Sequence, residues 1–197
     1  MSLDLVHNIQ AAYRKTVNAI SRPGLICNIK DQADKVDVEI GCLNPTVVLA
    51  LMLLDTEVTF KVISKSEAEV TQFMSLTYAK ATETERADFV FILKDANAED
   101  VEKALRAAYP GNLVDPHKSA TIIIEVDSLN NEKDMILTGP GIEKENYIKV
   151  KTAFNWEKLR TEKNFEYPLG VDFIFIDSEG NLMCLPRTTR IMKQEIM

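Results

Sequence analysis

The chain has 197 residues, 46% hydrophobic and 27% charged, with 23 Lys and Arg against 30 Asp and Glu for a net charge of −7. That balance suits a single globular domain spanning 1–197 with a sizeable apolar interior, and it excludes a disordered chain. Acids and bases are interspersed without a basic stripe and no apolar run approaches spanning length, so neither a nucleic-acid nor a membrane partner is expected.

The N-terminal MSLDLVHNIQAAYRK carries no apolar targeting core, and the expected location is the cytoplasm. Leu5, Ile9, Ala12/Tyr13, Thr16/Val17 and Ile20 recur at helical spacing, which predicts an amphipathic helix from about Leu3 to Ile20. Ser21-Arg22-Pro23-Gly24 stops it, and a strand is predicted over Leu25–Ile29. Asp31–Asp37 reads as a polar loop, and Val36, Val38 and Ile40 alternate like a short half-buried strand. Asn44-Pro45 is a helix start, with Asn able to cap and Pro suited to the first helical position. The following TVVLALMLLD is apolar all round, the pattern of a buried helix.

Val58–Ile63 reads as a strand with Lys61 on a solvent face, and Ser66-Glu67 opens a helix bearing Val70, Phe73 and Thr77. Ala79–Glu85 fits either a helical continuation or a loop. Phe89–Leu93 is short, aromatic and β-branched, as a central strand requires. Asp95 or Asn97 caps a helix carrying Val101, Ala104/Leu105 and Ala108, which Pro110-Gly111 ends. Ala120–Val126 and Met135–Leu137 are predicted strands, Tyr147–Val150 a weaker one, and Ala153–Glu162 a helix. Last comes a hairpin: Val171–Ile176, the polar turn Asp177–Asn181, then Leu182–Leu185. Pro186 stops that ladder and leaves Arg187-Thr188-Thr189-Arg190 as an exposed basic tail. Helices alternating with apolar strands indicate an α/β fold, a mixed sheet flanked by helices with an antiparallel C-terminal hairpin.

Few residues suggest chemistry. His7 and His117 stand alone, so no metal site is expected, and no nucleotide-binding glycine pattern or nucleophile motif is present. Cys27, Cys42 and Cys184 are odd in number and widely spaced, as buried thiols in a reducing compartment would be. The turn Thr138-Gly139-Pro140-Gly141-Ile142 either joins two strands rigidly or offers backbone N–H groups to an anion. Arg187, Thr188 and Arg190 supply guanidinium forks and a hydroxyl suited to phosphate or carboxylate, or to acidic neighbours at a subunit contact. Gly139, Gly141, Arg187, Thr188, Arg190 and, more weakly, Arg22 are therefore the candidates for ligand or subunit contact. Asp172, inside an apolar strand, is expected to tie backbone amides or an arginine together rather than act as a base.

In order along the chain, SRPG (Ser21–Gly24), VVLALMLLD (Val47–Asp55), ADF (Ala87–Phe89), SAT (Ser119–Thr121), LTGPGI (Leu137–Ile142), PLGVD (Pro168–Asp172) and LPRTTR (Leu185–Arg190) resemble the PhnH family, a subunit of the bacterial carbon–phosphorus lyase system. The segment Leu76–Arg86 departs from it, lacking a histidine that relatives carry near there. The resemblance implies a fold like that of pyridoxal-phosphate-dependent transferases without that cofactor. It implies a homodimer when alone and sister subunits in a core complex, with a phosphonate or an ATP-derived compound as a possible ligand. The implied role is accessory: support for transferring a phosphonate onto the ribose of ATP with release of adenine. No catalytic residue is implied. The alternative from the residues alone is a stand-alone phosphonate- or nucleotide-binding enzyme or sensor.

Overall fold

A computed structural model describes residues 3–193. In chain order the elements are α1 (His7–Ser21), β1 (Cys27–Asn28), α2 (Lys30–Ala33), α3 (Asn44–Leu53), β2 (Thr59–Ile63), α4 (Glu67–Met74), β3 (Lys80–Ala81), β4 (Phe89–Ile92) and α5 (Ala98–Ala107). There follow β5 (Thr121–Glu125), β6 (Ser128–Thr138), β7 (Asn146–Lys151), α6 (Trp156–Lys163), β8 (Asp172–Ile176), β9 (Asn181–Leu185) and β10 (Arg190–Lys193).

Seven strands form one mixed sheet in the order β1-β9-β8-β5-β4-β2-β3. The strands β8, β5, β4, β2 and β3 run parallel, while β9 is antiparallel to β8 and β1 antiparallel to β9. The central strands are apolar on both faces because both faces are covered. Val90, Ile92, Ile122, Ile124, Phe173 and Phe175 pack towards α5, α6 and the second sheet. Their alternates Phe91, Leu93, Ile123, Ile174 and Ile176 pack towards α1, α3 and α4. Trp156, which opens α6, lies 4.6 Å from Phe175 and 6.1 Å from Phe173 between ring centroids.

The second sheet is antiparallel, in the order β10-β6-β7. Its edge strand β10 was not anticipated from the sequence. Arg190–Lys193 pairs with Met135–Thr138, Arg190 opposite Thr138, so the supposed free tail turns back into a strand. Backbone pairing with β6 stabilises it, a contact that short polar-flanked runs do not advertise.

Other expectations are corrected locally. Helix α1 starts later than Leu3 because the Asp4 carboxylate accepts the N–H groups of Val6 and His7, 2.8 and 2.9 Å away. Its inner face is the small-residue one, Ala12, Thr16 and Ala19, whereas Tyr13, Val17 and Ile20 are exposed. Small side chains let the helix lie close on its neighbours, and this outweighs the larger apolar stripe. Residues 36–40 form no strand, having no partner strand to pair with, and a short helix, α2, begins the stretch expected to be loop. Lys61 is not on an open solvent face: its ammonium pairs with Glu67 at 2.6 Å and is mostly covered. Residues 79–86 hold the short strand β3 and a 3-10 turn at Thr84–Arg86. Only Cys184 of the three thiols is fully buried; Cys27 and Cys42 are half-buried. Burial pushes the Cys42 thiol up to about 12, with the charges of Glu125 and Glu69 adding to the effect.

Asn44 does not cap α3; it is the first helical residue. The start of the helix is instead held from across the sheet by Glu125, the last residue of β5. Its carboxylate accepts the Leu43 N–H and the Thr46 hydroxyl, both at 2.7 Å, and the Lys94 N–H at 3.0 Å. Burial nevertheless raises the Glu125 carboxyl above its ordinary 4.5, the three donors opposing without cancelling. A carboxyl that holds its proton more tightly when folded contributes stability below about 4.5, and that contribution is lost as pH rises through the raised value. Glu125→Gln is therefore expected to flatten the decline of the urea midpoint above pH 4.5. An unaltered pH profile would assign that decline to other groups.

Candidate functional site

The loops at the carboxyl ends of the parallel strands, where open α/β sheets usually take ligands, hold their carboxylates in internal bonds. Asp95 accepts the Ser64 hydroxyl and the Lys65 N–H, at 2.8 and 3.0 Å. Asp177 accepts the N–H groups of Glu179 and Asn181, at 3.0 and 2.9 Å, and Glu125 is committed as described. The conspicuous cleft is at the opposite end, where Asp172 begins β8 and the chain leaves β9.

Pro186–Thr189 is a tight turn closed by the Thr189 N–H on the Pro186 carbonyl at 2.9 Å. Arg187, at its second position, is largely spent inside the fold. Its Nη2 donates to Asp172 Oδ2 at 2.6 Å, its Nε to Oδ1 at 3.3 Å, its backbone N–H to Oδ1 at 2.6 Å and its Nη1 to the Pro116 carbonyl at 2.6 Å. Asp172 thus holds an arginine and a backbone amide together, the structural role its sequence context suggested.

The turn Gly139–Ile142 joins β6 to β7 and presses on this segment. Gly139 has φ +130°, and a Cβ there would stand 2.9 Å from the Thr188 carbonyl oxygen. Gly141 has φ +83°, and a Cβ would stand 2.4 Å from the Ser21 carbonyl and 2.9 Å from Pro23 Cδ. Both glycines let one backbone approach another, so the turn packs against protein on these sides. Gly139 and the Arg187–Arg190 segment lie together at the β10 edge of the second sheet, joined by the Arg190–Thr138 pairing. Arg22 is exposed beside Pro23 and is not among the residues lining the cleft.

The cleft has a volume of about 890 Å³ and is walled by the 138–140 turn, the inner face of α6, residues 165–169 and the Arg187–Met192 segment. In a protein of net charge −7, three arginines and, among the described residues, no carboxylate line it. Arg187 is neutralised by Asp172; Arg190 is exposed at the start of β10. The third, Arg160, could have been found from the sequence by its position four residues after Trp156, on the face of α6 that enters the core. It is 3% exposed, and its Nη2 donates to the carbonyls of Pro186 at 2.7 Å and Thr189 at 3.1 Å. Its guanidinium also lies 5.8 Å from the centre of the Phe173 ring. Burial pulls Arg160 down to about 10, with the charge of Asp172 opposing, so it is still protonated at neutral pH. The Phe165 and Tyr167 side chains, 89% and 78% exposed, stand at the rim. Such a site can hold and orient an anion. It places no nucleophile beside a base, and among the described residues no cluster of His, Cys, Asp and Glu could hold a metal. No helix among the described residues is long and apolar enough to cross a membrane.

Known proteins agree with the motif order. The family described as bacterial phosphonate metabolism protein (PhnH) matches residues 2–192. The chain is similar to HtxG of Stutzerimonas stutzeri, assigned by name to the C-P lyase subunits, with 30% identity over 92% of this chain and 85% of that protein. It is also similar to the alpha-D-ribose 1-methylphosphonate 5-triphosphate synthase subunit PhnH of Rhizobium meliloti (strain 1021), with 27% identity over 97% of this chain and 94% of the relative. With SRPG, LTGPGI, PLGVD and LPRTTR meeting at one end of the fold and the match running nearly end to end, the chain belongs to the PhnH family of bacterial phosphonate metabolism proteins.

Proposed function

We propose that this protein is an accessory subunit of a carbon–phosphorus lyase core complex in organophosphonate breakdown, supporting transfer of a phosphonate onto the ribose of ATP with release of adenine. The carrying observation is the family match over residues 2–192, seconded by two relatives named as subunits of that system. The cleft supports an accessory rather than a catalytic part, since it offers positive charge and hydroxyls without a nucleophile–base pair.

The same reading takes the chain to be one cytoplasmic domain, a homodimer when isolated, that joins sister subunits when they are present. It takes the seven-stranded sheet to be a relative of the pyridoxal-phosphate-dependent transferase fold working without the cofactor. Superposition of an experimental structure on such transferases tests that relationship.

Co-expression with the other subunits is expected to bring this chain down in a stable complex, and deletion of its gene is expected to abolish growth on methylphosphonate as sole phosphorus source. Normal growth of the deletion strain on methylphosphonate would defeat the proposal.

A further inference from the structure

Helix α1 turns its small side chains inward and its large apolar ones outward. Ala12, Thr16 and Ala19 are buried, whereas Val6, Tyr13, Val17 and Ile20 are 70%, 56%, 44% and 45% exposed. These four share one stripe: heptad steps join Val6, Tyr13 and Ile20, and Val17 stands one turn beyond Tyr13. Large side chains at that spacing form a seam into which a second helix packs, and a contiguous exposed apolar surface marks a contact face. Gln10, Arg14 and Ser21, all exposed, run along one flank of the seam. In a chain whose acids outnumber its bases by seven, His7–Ser21 holds Arg14 and Lys15 but no acidic residue, and Arg22 follows it. The carboxylate just before the helix, Asp4, is committed to the His7 ring at 2.9 Å and to the N–H groups of Val6 and His7.

We propose that the seam of Val6, Tyr13, Val17 and Ile20 docks an amphipathic helix of a sister subunit, whose apolar stripe is flanked by Asp or Glu that meets Arg14. That the partner is a sister subunit rests on the proposed subunit role; the seam and its charge belong to this chain. Charge selects among the occupants. A second copy set on the seam about a twofold axis through its middle would bring the two Arg14 side chains face to face, a like-charge contact that opposes binding. Anionic membrane surfaces are read by clusters of about four or more Lys and Arg, and the flank of this seam carries one arginine. An acidic helix gives Arg14 a counter-charge while Tyr13 supplies an aromatic anchor at the centre of the contact. The platform is firm, since α1 rests on α3 and β9 and its end abuts the 138–142 turn at Gly141.

The test substitutes exposed residues of the seam, so the core is left intact. Each variant of the full chain is co-expressed with the sister subunits, and the amount recovered in the purified complex is measured at rising salt. Tyr13→Glu and Val17→Glu are expected to cut recovery at least about tenfold while the urea midpoint of the isolated chain holds. Arg14→Glu is expected to lower recovery several-fold and to remove its fall with salt, Arg14→Lys to retain both; Arg14→Glu stands in should the seam variants fold poorly. Leu76→Glu, 72% exposed and following α4 at the far end of the sheet, is expected to behave as wild type. A photo-cross-linker at Val17 is expected to join a sister subunit on a helix flanked by acids. Wild-type recovery of all three Glu variants, in a complex that forms, would overturn the docking face and leave the subunit role standing; no complex with the wild-type chain would overturn both. Loss of self-association of the isolated chain with Val17→Glu would assign the seam to a second copy. Wild-type binding to phosphatidylglycerol vesicles, abolished by Val17→Glu, would assign it to a membrane. Either result would overturn the proposal.

Discussion

Asp172→Ala is expected to destabilise the fold by about 3 kcal/mol, read as a lower urea midpoint at unchanged m-value. The carboxylate ties the Pro186–Thr189 turn to β8: it accepts three bonds from Arg187, one backbone and two side-chain, at 2.6 to 3.3 Å. The pair is partly covered, with side-chain exposures of 16% for Arg187 and 32% for Asp172, so its loss leaves a shielded guanidinium without a counter-charge. Truncating one member of such a pair costs more than the pair contributes net. Asp172→Asn should cost less, because an amide oxygen can still accept the Arg187 N–H. Equal unfolding midpoints for Asp172→Ala and wild type would mean that the pair is not made in solution.

Gly141→Ala should cost about as much, roughly 3 kcal/mol, by a different route. Left-handed backbone at φ +83° carries a penalty of about 1 kcal/mol for any residue with a Cβ. The new methyl would also stand 2.4 Å from the Ser21 carbonyl, a backbone atom that can move only by shifting the end of α1. Overpacking of this kind adds about 1–3 kcal/mol. Gly180→Ala, at φ +76° with its Cβ 2.7 Å from the Lys30 amide, makes a control for generic turn strain far from the cleft. An unchanged urea midpoint for Gly141→Ala would mean that the 138–142 turn does not press on the end of α1 in solution.

Much of the architecture was legible because local rules and tertiary context agree. Phe89–Leu93 is apolar on every residue and Ala120–Val126 holds three consecutive isoleucines, which a strand covered on both faces tolerates, and β4 and β5 are central strands. The Asp177–Asn181 turn between two apolar runs led to the β8–β9 hairpin, and Asn97 does cap α5, accepting the Asp100 N–H at 2.9 Å. The tying role of Asp172 was also anticipated. Elsewhere the pattern was true but its direction was not. The large apolar stripe of α1 is periodic, yet the helix turns its alanines inward, because close packing on α3 and β9 is not encoded in spacing.

The candidate site was legible in its parts and misjudged in its balance. The sequence alone determined the arginines, threonines and glycines available at this end, and its motif order determined the family. Only the tertiary structure decided which charges are free. Asp172 lies fifteen residues before Arg187, yet β8–β9 pairing places it across the turn and neutralises the arginine. Arg160 shares the Trp156 face of α6, but only the docking of α6 beneath the Pro186–Thr189 turn removes it from water. Side-chain chemistry is local and is written in the residue type. Burial and counter-charge are sums over neighbours brought together by the fold, and those sums decide which arginine is paired, which is buried and which stays open to solvent.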